Sequence, residues 1–401
     1  MYKCNLCGNL NLVQLIDFKS HPIVKHYLNN KEQFQKKYPV NLHFCEYCGL
    51  SQLVDSCPPE ILYDNYVTLS SWKFQPHVQH EINLIKKLKN INKDSKIIEI
   101  GSNEGLFLEQ LQKQGFNNIL GIEPAKDAYD SSISKGIHTR QLYLNKETTK
   151  VILNEYGDFD LLISRQNLEH MSDLQEVRNS IKSLVKIGGY VLIEVPNFMC
   201  NLKFNDYGLW EEHVNYFTID TLRYFLNISD IEIIYEEIIK FSGEGILVLG
   251  CKKGKVAASL SYVDDLRILN FEYSKAWPVF KNNFNEFLIS KKNTGQKIAV
   301  YGAGSRVFCL LNFLEITHLI DVILDDQPEK QNKFMPGGKL PIKPSCSLYS
   351  LNIGICLLGV NTENEEKVLA KHDAWIKNGG IFWSILPPSD MLLPLWVNIG
   401  E

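Results

Sequence analysis

The stretch that decides the fold reads Lys96-Ile97-Ile98-Glu99-Ile100-Gly101-Ser102-Asn103-Glu104-Gly105-Leu106-Phe107. An apolar run stops at a turn bracketed by glycines, and apolar residues at helical spacing follow, so the stretch predicts a strand, a turn and a helix. Gly101 and Gly105 allow backbone N–H groups to approach a ligand closely, and the next helix directs its positive N-terminal end into the same space. We therefore expect a cofactor site where this strand ends.

An acidic residue stands where a ribose requires one. Glu123 closes the next apolar run, 118–122, about twenty residues after Gly101, the offset at which a carboxylate accepts hydrogen bonds from ribose hydroxyls. The glycine spacing is G-x-x-x-G, whereas a dinucleotide site uses the tighter G-x-G-x-x-G turn. A wider, polar turn suits an adenosine ligand that carries an amino acid, which favours S-adenosylmethionine over NAD. An ordinary turn between a strand and a helix is the alternative. The residues expected to bind this cofactor are Gly101, Ser102, Asn103, Gly105, Glu123, Pro124, Gln166 and Asn167.

Length and composition bound the class of protein. The chain has 401 residues, which favours several domains over one core. No apolar run reaches the length of a membrane span, and the amino end lacks the apolar core of a signal peptide, so we expect a cytoplasmic protein without a membrane partner. A net charge of −4 without a basic block argues against nucleic acid as a partner. For the assembly we expect a monomer or a weak homodimer.

Two cysteine pairs, each followed by glycine, predict a metal site. They are Cys4-x-x-Cys7-Gly8 and Cys45-x-x-Cys48-Gly49. Two residues between thiolates let both bind one tetrahedral ion, which indicates structural zinc, and a metal-free thiol cluster is the alternative. The chain between the pairs must form structure of its own, and we expect strands near 12–18 and 40–44. The other six cysteines are scattered singly, which is typical of buried small side chains.

Strands alternate regularly with helical patterns after a helix expected at 74–89. The expected strands are 97–100, 119–123, 136–139, 159–164 and 190–195, the last entered through a turn at Gly188-Gly189. Such alternation predicts an α/β fold with a doubly wound parallel sheet, whose ligands bind at the carboxyl ends of the strands. The polar tip at Asn197 falls at the same edge and is a candidate for substrate binding.

A loop with acids, a histidine and aromatics follows this sheet: Trp210-Glu211-Glu212-His213-Val214-Asn215-Tyr216-Phe217. A histidine beside carboxylates near the cofactor edge is a candidate general base, because its ordinary pKa lies near neutrality. The alternative is a histidine that only bonds a backbone carbonyl. Upstream, the segment 63–72 is rich in aromatic and hydroxyl groups, and it predicts either a substrate wall with Tyr66, Ser70 and Ser71 or a polar connector.

A second strand, turn and helix begin near residue 297, after a helix expected at 272–291. Tyr301-Gly302-Ala303-Gly304-Ser305-Arg306-Val307 has the spacing G-x-G-x-x-V, and Asp325 and Asp326 end the next apolar run. The pattern also fits an NAD-binding module. Against that interpretation, Val307 replaces the third glycine, and its branched side chain is expected to disturb close packing of helix and strand.

Together these motifs resemble the deoxysugar C-methyltransferases over essentially the whole chain. The resemblance is carried by the paired CxxC motifs, Y-x-x-Y-x-x-x-S-S before the cofactor domain, E-I-G-S-N-E-G, E-E-H-x-x-Y-F, Y-G-A-G, and the strings D-D-Q-P-E-K-Q and P-G-G-K-L-P-I at 325–331 and 336–342. It implies a zinc-binding amino-terminal domain, a central S-adenosylmethionine domain and a Rossmann-like carboxy-terminal domain. It also implies methylation of a ring carbon next to the keto group of a nucleotide-linked 4-keto-6-deoxysugar.

The chain departs from that family at two places. Family members commonly carry Tyr-His-Glu-His where this chain has Trp210-Glu211-Glu212-His213, and a Gly-Gly-Ser-Leu-Arg-like string stands here as Ser242-Gly243-Glu244-Gly245-Ile246. The departures leave room for an unusual sugar or for transfer to oxygen. An NAD-dependent sugar oxidoreductase and a non-catalytic nucleotide-sugar-binding protein are the further alternatives.

We expect three domains, at 1–75, 76–255 and 256–401. The expected cofactors are S-adenosylmethionine and one structural zinc ion held by Cys4, Cys7, Cys45 and Cys48. His213 is expected to be the general base, oriented by Glu212, and Tyr66 is expected to donate a hydrogen bond to an enolate oxygen. The residues expected to bind a nucleotide-sugar substrate are Ser70, Ser71, Asn197, Ser305, Arg306 and Lys330.

Overall fold

The computed structural model describes residues 2–62 and 75–395. Within these ranges the strands form three sheets of four, seven and five strands. Tyr66, Ser70 and Ser71 lie outside the described residues. In the part of the chain that is described, no helix is long and apolar enough to cross a membrane.

The amino-terminal sheet is antiparallel, and one of its strands comes from far along the chain. Its elements are β1 (Leu12–Pro22), β2 (Lys37–Cys45), β3 (Ser51–Val54) and the short helix α1 (Pro59–Leu62). The strands expected near 12–18 and 40–44 are confirmed, and both extend further. The fourth strand, Asn215–Tyr216, pairs with β3. This pairing ties the loop that carries His213 to the amino-terminal sheet.

The central sheet is the doubly wound sheet that the alternation predicts. In chain order the elements of this part of the chain are α2 (Pro76–Lys86), β4 (Ile97–Ile100), α3 (Leu106–Lys113), β5 (Ile119–Ile122), α4 (Lys126–Ser134), β6 (Thr139–Arg140), α5 (Lys146–Tyr156), β7 (Phe159–Arg165), α6 (Leu174–Leu184), β8 (Val185–Pro196), α7 (Phe198–Phe204), β9 (Asn215–Tyr216), α8 (Ile219–Ile228), β10 (Ile231–Ile239) and β11 (Gly245–Lys252). Of these strands, β9 belongs to the amino-terminal sheet and the others form the central sheet.

The strand order of this sheet is β10-β11-β8-β7-β4-β5-β6, and β11 alone runs against the others. The chain proceeds from β4 to one side and then returns to β7 on the other side. A crevice opens at the carboxyl ends of two neighbouring strands where the order switches, and doubly wound sheets bind their ligands there. The order therefore places the turn after β4 and the loop after β7 side by side.

Two expected boundaries in this sheet are wrong. The strand expected at 136–139 begins only at Thr139, because Gly136 adopts a φ of 77° and its N–H bonds Ile133 O, which closes the end of α4. Instead of a separate turn at Gly188-Gly189, β8 starts at Val185 and carries an irregularity in its pairing with β7.

The carboxy-terminal sheet is entirely parallel, with the order β14-β13-β12-β15-β16, and the Rossmann-like prediction is confirmed. Its elements are α9 (Val263–Asn293), β12 (Ile298–Tyr301), α10 (Ser305–Leu314), β13 (Val322–Leu324), β14 (Ile342–Lys343), α11 (Ser347–Ser350), β15 (Ile355–Leu358), α12 (Glu365–Lys371), α13 (Asp373–Lys377) and β16 (Ile381–Ser384). The helix expected at 272–291 is confirmed and begins earlier, at Val263.

The branched side chain of Val307 was expected to disturb close packing of helix and strand, and it does not. It is fully buried, and its Cγ2 lies 2.3 Å from where a Cβ at Gly359 would stand. The glycine that permits close approach of α10 to the sheet therefore follows β15 instead of lying within the helix.

One apolar core runs through all three parts of the chain. It joins residues of β2, α7, α9 and α10, among them Leu42, Phe198, Tyr273 and Phe308. Tyr207 stacks on Tyr273 at 4.4 Å, and its hydroxyl donates to the Tyr273 carbonyl at 2.7 Å. The sheets are thus held against one another by burial of large side chains. The limits of the three domains stay a prediction.

Candidate active site and metal centre

The four paired cysteines converge on one point. Their sulfurs all lie within 4.8 Å of one another, with Cys4 Sγ 3.5 Å from Cys48 Sγ and Cys7 Sγ 3.6 Å from Cys45 Sγ. A tetrahedron with Zn–S bonds of about 2.3 Å has edges of about 3.8 Å, so the cluster fits one zinc ion. Four thiolates fill every position, which is the arrangement of a structural site. The prediction of a zinc-binding set is confirmed.

The glycine after each pair makes the turn that closes around the sulfurs. Gly8 and Gly49 have φ values of 75° and 77°, and their N–H groups each bond the carbonyl of the first cysteine of the pair at 2.9 Å. Tyr262 of the segment before α9 donates its hydroxyl to the carbonyl of Cys48 at 3.0 Å. The metal cluster therefore lies at a junction between the amino-terminal sheet and the helices behind it. Of the other six cysteines, Cys346 is exposed, contrary to expectation, and the rest are buried.

The turn after β4 has the geometry that its glycines predict. Gly101 and Gly105 have a φ of 72°, where a side chain is strained. A Cβ at Gly101 would lie 2.5 Å from Cγ of Asn167, so glycine is also required for lack of space. Gly105 caps the start of α3, whose free N–H groups face the crevice.

Glu123 reaches back to this turn. Its Oε2 accepts from the N–H of Asn103, and its Oε1 accepts from the N–H of Ala125, both at 2.8 Å. The carboxylate is 7% exposed, and burial raises its pKa, whereas the two N–H bonds oppose that shift. Each oxygen retains a second lone pair. The structure thus brings Glu123 beside the turn with acceptor capacity left for ribose hydroxyls.

The rim of the crevice is formed by the segment after β7. Asn167 donates its amide to the carbonyl of Ile100 at 3.1 Å, so it covers the start of the turn. The side-chain amide of Gln166 does not bond this turn and donates instead to Oε1 of Glu194 at 2.8 Å. The Ser102 hydroxyl is buried against β5, and the carbonyl of Pro124 accepts from Gln141 at 3.3 Å.

A buried charged cluster beneath the rim was missed by the sequence reasoning. Arg165 lies 2.7 Å from Glu81 and 3.2 Å from Glu194, and its guanidinium stacks over Phe107 at 4.5 Å. Glu99 lies on the same face of the sheet, and burial raises its pKa to about 8. Among the described residues its Oε2 has no hydrogen-bond partner. Three carboxyl groups face one guanidinium here: Arg165 lowers the pKa of Glu194, whereas burial raises the pKa of Glu81 and of Glu99.

Two loops bring a pair of histidines together beside the crevice. One contains the short 3₁₀ helix Leu168–His170, and the other contains His213. Val214 donates its N–H to the carbonyl of Glu169 at 2.8 Å, and the amide of Asn215 bonds the carbonyls of Leu168 and Met171. These bonds place the rings of His170 and His213 4.8 Å apart, at 86° to each other.

The surroundings of both imidazoles favour the neutral form. Burial, followed by the positive charge of Lys25, lowers the pKa of His170 to about 3. The pKa of His213 is also lowered, chiefly by burial and further by His170, Lys25 and Arg306. The imidazole of His213 is therefore neutral at pH 7. His170 stood in the sequence next to the expected cofactor rim, but nothing in the local pattern singled it out.

The carboxylate of Glu212 is directed away from the imidazole that it was expected to orient. Its Oε2 bonds Nζ of Lys25 at 2.7 Å, and Lys25 Nζ also lies 4.5 Å from the centre of the Trp210 ring. The carbonyl of Glu212, instead of its carboxylate, bonds Nδ1 of His170 at 3.0 Å. Glu212 thus meets a cation from the amino-terminal sheet, and the expected contact with His213 is replaced by this ion pair.

The neighbouring Glu211 ties the loop to the other two parts of the chain. Its Oε1 accepts from the N–H of Val24 at 2.7 Å, and its Oε2 accepts from the thiol of Cys309 at 3.0 Å. Both groups are buried, so these bonds fix the loop from two sides.

The residues expected to bind substrate are spread over two regions. Arg306 begins α10, lies 2.5 Å from Asp206 and donates to the carbonyl of Ser242 at 2.9 Å, so it bridges the central and carboxy-terminal parts. Asn197 bonds Glu244 at 2.9 Å, close to the same junction. Ser305 adjoins Arg306 at the start of α10. These residues lie near the junction of the central and carboxy-terminal parts.

Lys330 and the second glycine turn form a separate arrangement within the carboxy-terminal sheet. Asp325 accepts from the N–H of Ala303 at 2.8 Å, much as Glu123 does in the central sheet, but Lys330 lies 3.3 Å from it and is 6% exposed. The hydroxyl of Tyr27 donates a hydrogen bond to the carbonyl of Ala303 at 2.7 Å. The acid that a ribose would need is therefore neutralised by the chain's own lysine, which argues against the NAD interpretation.

Sequence models of three protein families match successive parts of the chain. A zinc binding domain family matches residues 4–63, a methyltransferase domain family matches 74–236, and a C-methyltransferase C-terminal domain family matches 263–387. The C-methyltransferase NovU of Streptomyces niveus is similar to the chain at 23% identity, over 96% of this chain and 95% of that relative. The chain is an S-adenosylmethionine-dependent methyltransferase.

Other comparisons cover smaller shares of this methyltransferase. A ubiquinone biosynthesis O-methyltransferase of Colwellia psychrerythraea is 30% identical over 27% of this chain and 45% of that relative. Among solved structures, an S-adenosylmethionine-dependent methyltransferase from Anabaena variabilis has a TM-score of 0.38 at 16% identity, covering 48% of this chain and 91% of its own. The YcgJ protein of Bacillus subtilis has a TM-score of 0.32 at 13% identity, covering 44% and 99%. The fold of the methyltransferase is established by its own strand order.

The crevice of the methyltransferase fits S-adenosylmethionine. The cofactor carries an ammonium and a sulfonium, and the unpartnered Oε2 of Glu99 lies within an acid-rich cluster on the strand that leads into the turn. Glu123 offers the free lone pairs that ribose hydroxyls require. The orphaned buried carboxyl oxygen and the glycine turn therefore suit both ends of the cofactor.

Proposed function

We propose that this methyltransferase methylates a carbon next to the keto group of a nucleotide-linked sugar, with His213 as the general base. Two similarities support a carbon acceptor. One is the NovU relative, named a C-methyltransferase, which is similar over almost its whole length, and the other is the C-methyltransferase C-terminal domain family matched at 263–387. The family resemblance of the sequence motifs implies that the substrate is a nucleotide-sugar.

The observation that carries the proposal is the neutral His213, which packs against His170, three residues after Asn167 of the crevice rim. Carbon is a poor nucleophile until a proton next to a carbonyl is removed, so a base must be unprotonated near pH 7. Burial and neighbouring positive charges hold the pKa of His213 well below its ordinary value. His213 is half-buried and so keeps some exposed surface. His213 can therefore accept the proton and leave an enolate on the substrate.

The charges around His213 suit the enolate that this step creates. Lys25 acts on His213 electrostatically, and a negative oxygen formed near its ammonium is stabilised by the same charge. Tyr66, which lies outside the described residues, is the proposed donor of a hydrogen bond to that oxygen. Bound S-adenosylmethionine supplies an electrophilic methyl group on a sulfonium. His213 retains the proton while the substrate carbon takes the methyl group.

The nucleotide part of the substrate is proposed to meet the junction between the central and carboxy-terminal sheets. Arg306 and Ser305 stand at the start of α10. A diphosphate can replace Asp206 there as the partner of the Arg306 guanidinium. Asn197 is proposed to contact the sugar, as are Ser70 and Ser71, which lie outside the described residues. Lys330 is the least favoured of the predicted contacts, because it is buried against Asp325.

Proton exchange tests the carbanion route directly. A panel of nucleoside diphosphate-linked 4-keto-6-deoxyhexoses is incubated in deuterium oxide with the enzyme and no cofactor, and NMR follows loss of the proton next to the keto group. The wild type should exchange it, and His213→Asn should slow exchange and methyl transfer by a factor of about 100 or more. His318→Asn is the matched control, because His318 is exposed and bonds only a backbone carbonyl among the described residues.

The position of the new methyl group separates carbon from oxygen as the acceptor. Labelled cofactor is added, and the chemical shift of the product methyl is read by NMR. A methyl on oxygen, or exchange by His213→Asn at the wild-type rate, would overturn the proposed function. Proton exchange and methylation on carbon that occur in the wild type and not in His213→Asn would support it.

A further inference from the structure

A lysine next to the amino-terminal sheet contacts the loop that carries His213. Lys25 follows β1 directly, and its Nζ bonds Oε2 of Glu212 at 2.7 Å, although 187 residues separate the two. Its side chain is 19% exposed, and that of Glu212 is 1% exposed. The ammonium also lies over the Trp210 ring at 4.5 Å. Glu212 and Trp210 both belong to the loop that carries His213.

We propose that Lys25 is a positioning residue that holds the Glu212 carboxylate away from His213 and thereby keeps His213 unprotonated. The inference rests on the proposed function, in which His213 is the base. A carboxylate free to approach an imidazole would stabilise its protonated form and make it a weaker base at neutral pH. By pairing with that carboxylate, Lys25 removes this effect and adds a positive charge that disfavours protonation.

Among the described residues, the groups that act electrostatically on His213 are His170 after β7, Lys25 after β1 and Arg306 on α10. Glu169 lies close to both imidazoles, Glu211 and Glu212 precede His213 on its own loop, and Cys309 of α10 bonds Glu211. Arg306 is itself paired with Asp206, and burial raises the pKa of Glu169 well above its ordinary value, so that this carboxyl tends to be neutral.

The direction of the effect is the same whichever form Glu212 takes without Lys25. Burial raises the pKa of Glu212 to about 7, against the lowering effect of Lys25. If Glu212 stays ionised once Lys25 is removed, its charge raises the pKa of His213. If Glu212 becomes neutral, the loss of the lysine charge alone still raises the pKa of His213. Removal of Lys25 must therefore move the titration of His213 to higher pH.

The test measures the titration of His213 without reference to activity. Protein labelled at histidine is titrated by NMR without cofactor or substrate, and the His213 signal is assigned by its loss in His213→Asn. In Lys25→Met the pKa of His213 should rise by about one unit or more relative to the wild type. Lys25→Arg should stay near the wild type, because arginine keeps the charge and can stack on Trp210. Lys19→Met is the matched control, since Lys19 is an exposed lysine of β1 paired with Asp17.

The pH profile of kcat/KM is then recorded for the same variants with the labelled cofactor. Its acid limb should move to higher pH in Lys25→Met by the same amount as the His213 titration. An unchanged pKa of His213 in folded Lys25→Met would overturn the inference. A raised pKa with an unmoved acid limb would support the role of Lys25 and refute His213 as the base. If Lys25→Met does not fold, Lys25→Gln provides a polar replacement for the same two measurements.

Discussion

Replacement of Glu123 tests the cofactor site most sharply, because the carboxylate has two separable tasks. It accepts the N–H groups of Asn103 and Ala125, each at 2.8 Å, and we propose that its remaining lone pairs accept hydrogen bonds from the ribose. In Glu123→Ala both N–H groups lose their acceptor, at a cost of about 1–3 kcal/mol each in the free energy of unfolding. The lost hydrogen bonds from ribose to a charged acceptor cost a further 1.5–3 kcal/mol, roughly, in binding.

That binding loss corresponds to a Kd for S-adenosylmethionine raised by roughly ten- to a hundredfold. Isothermal titration calorimetry measures it at a temperature where thermal unfolding shows the variant to be folded. Glu104→Ala is the matched control, since Glu104 stands in the same turn but pairs with Lys135 near the surface. Glu123→Gln should fall between the two, because its amide keeps one acceptor oxygen. A Kd unchanged in folded Glu123→Ala would place the ribose elsewhere and refute the reasoning.

Two further predictions concern protons and metal. Burial raises the pKa of Glu99 to about 8, so this carboxyl is mostly protonated at pH 7, and a bound cation that lowers its pKa should release a proton. Calorimetry in buffers of different ionisation enthalpy should detect that release in the wild type and not in Glu99→Gln. Metal analysis should find one zinc per chain, lost in Cys48→Ser and retained in Cys346→Ser, whose cysteine is exposed. Zinc well below one per chain in the wild type would contradict the cluster.

The residues that sequence reasoning placed correctly share one property, which is that their signal is local. Two glycines with a positive φ predict the turn after β4. The place of Glu123 beside that turn is predicted by its fixed offset within one unit of strand, helix and strand. The zinc set follows from spacing within each cysteine pair, since two residues between thiolates suit one tetrahedral ion.

The buried charges under the rim gave no such signal. Glu99, Arg165 and Glu194 each stand in a strand that is predicted by its apolar residues and not by the charged one. Their meeting depends on the order of the strands in the sheet, which places β4, β7 and β8 next to one another. A short window of sequence does not contain that order.

By itself the sequence determined the α/β class, the glycine turn with its acid, the zinc ligands and the loop that carries His213, because each depends on neighbours in the chain. Only the tertiary structure decided what surrounds His213. Lys25 lies 187 residues from Glu212, and Cys309 lies 98 residues from Glu211. Such contacts form when large apolar faces of three sheets pack together, and that packing brings charges into a dry environment where they set one another's pKa. The chemistry of the loop is thus a property of the assembled chain.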